Sequence, residues 1–84
     1  MSFKLIRVRS IGNKEVPEWK KSFTGELCRI GNVRLGRRLV VDFPNVDMHL
    51  VTTEIVAYNS DWRASNSLIL QTQNTVYVFS KEAV

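Results

Sequence analysis

Cysteine, histidine and proline are all scarce in this chain. Its 84 residues include one cysteine (Cys28), one histidine (His49), two prolines and four glycines. A single cysteine forms no internal disulfide, so the chain is not read as a stapled secreted scaffold, and a reducing cytoplasm is the expected location. No apolar run approaches the roughly 20 residues of a membrane helix, and no secretory apolar segment follows Met1, so no membrane partner is expected. One histidine without a cysteine pair makes no zinc site. Neither GxGxxG nor GxxxxGK[ST] occurs, and Gly31 and Gly36 sit in a β context without the helix that phosphate loops require.

The inventory for catalysis is equally thin. Asp42 and Asp47 flank one loop, Glu15 and Glu18 belong to a surface turn, and no two carboxylates stand at a defined separation for acid–base work. The chain is therefore expected to be no enzyme and to need no cofactor or metal. One alternative stays open, a Cys28–His49 pair, which requires the two side chains within hydrogen-bond reach. In Leu27-Cys28-Arg29-Ile30 the cysteine reads instead as a small buried hydrophobe.

What is present is an ordinary globular composition, 44% hydrophobic and 24% charged, which argues against disorder. The length fits one domain spanning residues 1–84, with a thin stability margin. The net charge is +4, but it is unevenly distributed. Residues 1–40 carry ten of the twelve basic groups and a net +7, whereas residues 41–84 carry −3. One cationic surface is expected unless strand order interleaves the halves.

The dominant period is two. Residues 3–9 alternate, with Phe3, Leu5, Arg7 and Arg9 on one side and Lys4, Ile6 and Val8 on the other. Ile11 to Lys14 reads as a turn, and Pro17 opens one short helical turn near residues 17–21, with Trp19 as its packing anchor. Strands are predicted over 22–30, 38–43, 49–52 and 55–58, with a kink at Thr53-Glu54. Residues 59–67 form a polar loop holding Trp62. A final hairpin pairs 68–72 with 75–80 about Gln73-Asn74, matching Leu70 to Tyr77, Leu68 to Phe79 and Ile69 to Val78. Tyr58 and Tyr77 are expected to be buried with bonded hydroxyls. Short strands, frequent turn signals and no amphipathic helix indicate an all-β fold. A small, strongly bent antiparallel barrel of five or six strands is the economical form, and an open sheet backed by the Pro17 turn is the alternative.

Two features carry binding chemistry. Arg29, Arg34, Arg37 and Arg38 place four guanidinium groups in ten residues, with Lys20 and Lys21 upstream. Arginine suits phosphate because its planar fork bonds two oxygens at once and sheds water easily. The alternative is a turn whose arginines are solvated or paired with Glu26, Asp42 and Asp47. The second feature is Trp62-Arg63. Its indole either folds back over the barrel end or stacks on a base or partner, with Arg63 adding charge.

The segments Phe23-Thr24-Gly25-Glu26-Leu27 and Leu70 to Val78 resemble the shape of Sm-like RNA-binding barrels, domains of SH3-like size. In that family an h-x-G-x-h strand opens the core and a turn with Arg-Gly-Asn precedes the last strand. Asn74 matches the turn asparagine, but Gln71-Thr72-Gln73 stands in place of the Arg-Gly pair. The family's first-motif Asp and Asn have no counterpart after Leu27. The resemblance therefore implies the barrel shape and not the family's base pocket. A second resemblance joins Thr52-Thr53-Glu54-Ile55 with Thr72-Gln73-Asn74-Thr75-Val76-Tyr77. It is similar to short uncharacterised β-rich proteins of tailed phages and bacteria, and it implies a phage accessory factor acting on a host system.

The resulting expectation is a non-enzymatic barrel that binds nucleic acid, RNA or single strands in preference to duplex, since no recognition helix exists. The alternative is a protein-binding inhibitor or adaptor with an acidic partner. Homo-oligomers would form through strand edges at Phe3–Val8 or at the last hairpin.

Overall fold

The computed structural model describes residues 2–12 and 15–82. Six strands, β1 (Phe3–Ser10), β2 (Leu27–Ile30), β3 (Arg38–Phe43), β4 (Met48–Tyr58), β5 (Ser67–Thr72) and β6 (Thr75–Lys81), close into an antiparallel barrel. Neighbours in sequence are neighbours in the ring, and β1 pairs β6 to close it. The all-β barrel expected from the alternation is therefore the fold. The basic half (β1, β2 and the start of β3) occupies one continuous arc and is not interleaved with the acidic half.

The last hairpin has the register its alternation predicts, Leu68 against Phe79, Ile69 against Val78 and Leu70 against Tyr77. Leu68, Leu70, Tyr77 and Phe79 point inward with Leu5, Leu39, Val41, Leu50 and Ile55, and all are essentially inaccessible. Both edges of this hairpin are occupied, β5 by β4 and β6 by β1.

Three segments depart from the sequence expectation, each for a local reason. The predicted strand over 22–30 is shortened to Leu27–Ile30, because Ser22 to Gly25 form turns that seat Phe23 over the core, stacked 4.4 Å from Phe43. The Phe23-to-Leu27 segment is thus not one continuous strand. In β1 the register slips between Leu5 and Arg7, leaving Ile6 as a bulge and inverting the faces beyond it. Arg7 and Arg9 are consequently exposed, and Val8, expected on the opposite face from Phe3, packs toward the core. The two short strands expected at 49–52 and 55–58 are one strand, kinked where the β3–β4 register shifts between Arg38 and Val40.

That kink is stabilised by a side chain. The buried Thr52 hydroxyl accepts the Leu39 backbone N–H at 2.9 Å and donates to the Thr53 carbonyl at 2.7 Å. It thus takes the place of a ladder partner that the bulge removes.

Two short helices, α1 (Glu18–Lys21) and α2 (Trp62–Ser65), and a 3₁₀ turn at Pro44–Val46 lie outside the ladder. The first falls at the expected Pro17 turn, and the second lies within the expected polar loop. Trp19, expected as a packing anchor, is 55% exposed and meets Phe23 only edge-on at 6.4 Å. The turn expected at Ile11–Lys14 falls partly on Asn13 and Lys14, outside the described residues.

Replacing Thr52 by Val should leave the buried Leu39 N–H unsatisfied and cost about 1–3 kcal/mol. Thr52→Ser, which keeps the hydroxyl, should cost less. Urea unfolding of both variants checks this, and equal stabilities would contradict it.

Candidate nucleic-acid interface

The connection between β2 and β3 is a taut strap. A Cβ on Gly31 would lie 3.0 Å from the Val40 carbonyl, the same carbonyl that accepts the Gly31 N–H at 3.1 Å, so the chain leaves β2 against the β3 backbone. Gly36, at φ +77°, occupies the left-handed region that glycine tolerates and donates to the Ile55 carbonyl at 2.8 Å. Ile55 in turn donates to the Arg37 carbonyl at 2.9 Å. Val33 tucks against the core, while Arg34, Leu35 and Arg37 face solvent.

Trp62 is positioned by Asn59. The Asn59 side-chain amide donates to the Ser67 carbonyl at 2.7 Å, and its oxygen accepts the Ile69 N–H at 2.7 Å, tying the loop to β5. Trp62 N–H then bonds the Asn59 carbonyl at 3.2 Å and starts α2. Of the two alternatives the indole folds back, with its ring centroid 5.6 Å from Phe3, and it is half-buried against the core. The Arg63 guanidinium lies over its face at 5.1 Å. Phe3, Ile30, Trp62 and Arg63 line an open cleft of about 290 Å³.

The strap and the cleft share one end of the barrel. Ile30 lines the cleft and directly precedes Gly31. The strap is pinned to β4 at Ile55, and the Trp62 loop leaves β4 after Tyr58, three residues or about 10 Å further on. The strap carrying Arg34 and Arg37 and the loop carrying Trp62 and Arg63 thus leave the same end of the ring, with Arg38 at the strap's end.

The other site residues are not part of it. Lys20 and Lys21 precede the arginine run in sequence but lie at the opposite end, where Phe23 stacks on Phe43. Arg38 and Phe43 are the two ends of β3, about 17 Å apart. The Lys20 amine is engaged there: it donates to the Tyr77 hydroxyl at 3.2 Å and sits over the Trp19 and Tyr77 rings. This bonds the Tyr77 hydroxyl as expected, whereas Tyr58, expected to be buried, is only half-buried at the margin of the core. Lys21 pairs with Glu18 at 3.7 Å within α1.

Arg29 points outward directly across from Asp42, beside a shallow depression that also holds Asp47 and His49, a poor place for a phosphate. Arg38 is across from Glu54. A wider depression of about 490 Å³ near Ser2 and Asn45 holds no aromatic side chain, and its one cation, Lys4, pairs with Glu82 at 3.5 Å. Arg7 and Arg9, not singled out by the sequence reading, join the cationic arc on the outer wall beside Val78 and Val76.

Cys28 is inside the barrel and His49 outside it, so the wall separates the one nucleophile from the one imidazole. Burial pushes the Cys28 thiol up from 9.0 to about 12, against the smaller opposing effect of a backbone hydrogen bond at Leu5. Among the described residues, no group of three or more His, Cys, Asp or Glu side chains converges as a metal site, and no helix is long and apolar enough to cross a membrane. No protein-family model, curated protein or solved structure matches this chain.

Native Cys28 should resist thiol reagents at pH 8 and label only as fast as the protein opens, with denaturant removing the protection. Because the thiol's folded value lies above its unfolded one, its contribution to stability is complete below pH 9 and is lost as pH rises from about 9 toward about 12. Immediate labelling of the folded protein would contradict this.

Proposed function

We propose that this protein is a non-enzymatic barrel that binds nucleic acid, RNA or single strands, at the barrel end formed by the 31–37 strap and α2. The observation that carries the reading is Trp62, a half-exposed indole lining an open cleft with a guanidinium over its face. Arg34 and Arg37 stand on the adjoining strap without an ion-pair partner among the described residues.

A base entering the cleft would stack against the indole, worth about 1–3 kcal/mol, and would be insensitive to base identity because every base has a π-face. Arg34, Arg37 and Arg63 would hold the flanking phosphates through paired N–H donors. The bonds at Gly31, Gly36 and Ile55 preorganise the strap, so little conformational freedom is lost on binding. The absence of a groove-entering helix among the described elements favours strands over duplex.

Three phosphate contacts predict that log affinity falls with log salt at a slope of about −2 for single strands. Arg34→Ala with Arg37→Ala should reduce that slope, whereas Trp62→Ala should weaken binding by about tenfold or more while leaving the slope unchanged. Fluorescence titration of labelled oligonucleotides across a salt series, with thermal unfolding as a folding control, checks both. Absence of binding to any oligonucleotide at low salt would overturn the proposal, as would capture of one stoichiometric protein after nuclease treatment with no nucleic-acid affinity.

A further inference from the structure

We propose that the outer face of β3 and β4 is a self-association surface and that its partner is a second copy of this chain. Along β3 the outward side chains are Arg38, Val40 and Asp42, alternating with buried Leu39, Val41 and Phe43. On β4, Val51 stands directly across from Val40, His49 across from Asp42, and Glu54 across from Arg38. Val40 and Val51 are 46% and 47% exposed, an apolar pair on the outer wall where strand alternation usually places polar groups.

The charges around this pair are arranged symmetrically. Arg38 and Asp42 lie two residues to either side of Val40, so their Cα atoms are about 7 Å from its own in opposite directions. They have opposite sign. Asp42 lies across from Arg29 and Arg38 across from Glu54, but among the described residues the close ion pairs are Lys4–Glu82 and Lys21–Glu18, so neither Arg38 nor Asp42 is held in a close ion pair within its own barrel.

A twofold axis in the plane of the interface, crossing β3 over Val40, lays β3 on β3 and β4 on β4 in opposite directions. Arg38 of each copy then faces Asp42 of the other, twice over. Glu54 faces His49 in the same way, and the four valines meet at the centre. An isologous contact requires a self-complementary patch, and this one is so in both shape class and charge. Facing β-sheets pack through such outward apolar rows about 10 Å apart. The two convex walls limit the contact to two or three strands a side, which places it among the smaller, reversible interfaces. This face lies on the wall and the nucleic-acid site at the barrel end; the two share only Arg38, at their border, so Asp42→Arg and Val51→Glu test the dimer without touching the end site.

Sedimentation velocity over a protein concentration series tests it. The wild type should pass reversibly from monomer to dimer. Arg38→Asp alone, or Asp42→Arg alone, sets like charges face to face and should raise the dissociation constant by about tenfold or more. An equimolar mixture of the two single variants should recover dimer, since each then meets its complement, and the double variant R38D/D42R should dimerise by itself. Val51→Glu should abolish the dimer without lowering the unfolding temperature by more than a few degrees. A chain that stays monomeric at every concentration overturns the proposal, and so does a dimer unaffected by either single charge change. Loss of nucleic-acid binding with the dimer intact would count against the end site alone.

Discussion

Closing six short strands into a ring is the constraint on which the rest of the molecule depends. A sheet this small has one inner face, and the ring must bend sharply for that face to fill with side chains. The chain does so by pairing β1 with β6 and by bending where the ladder slips, at Ile6, at Thr52-Thr53 and at Val56. The Thr52 hydroxyl makes the second slip tolerable by accepting the Leu39 N–H inside an apolar interior. Aromatic contacts then cover the two ends of the ring, Phe23 on Phe43 at one and Trp62 on Phe3 at the other.

Closure also decides where charge can act. Because ring order follows chain order, the cationic first half stays together as one arc. Within that arc the cations divide by surroundings. Lys20 is engaged by Tyr77 and Trp19 at one end, Arg29 and Arg38 face carboxylates across the ladder, and Arg34 and Arg37 stand on a strap beside the second aromatic lid. A lid that is half-exposed and carries its own guanidinium is a different object from a fully buried one. The same tryptophan that covers the core also lines the cleft beneath the Arg63 guanidinium.

Much of this was legible in the residues. The last hairpin was predictable to the register, because Leu68, Leu70, Tyr77 and Phe79 alternate cleanly around an asparagine turn. The barrel followed from strand count and length, and Trp62 from being the one large apolar group in a polar loop. Three things were obscured. The β1 alternation placed Arg7 and Arg9 on the face of Phe3 and Leu5, and two arginines on a core face were themselves the sign of a phase change that only a bulge supplies. The grouping of Lys20 and Lys21 with the arginine run rested on proximity in sequence, which says nothing about which end of a ring a connection occupies. Phe23 was read as a strand residue because its neighbours alternate by chance, whereas its place is a turn that drops the ring onto Phe43.

The barrel end built from the 31–37 strap and α2 is the proposed working surface. A backbone amide NMR titration with a short single-stranded oligoribonucleotide at low salt tests it most directly. The account predicts chemical-shift changes concentrated at residues 30–38 and 59–66, together with the Trp62 indole N–H, and little change in α1. Changes centred on Lys20 and Lys21, or no change anywhere, would contradict it.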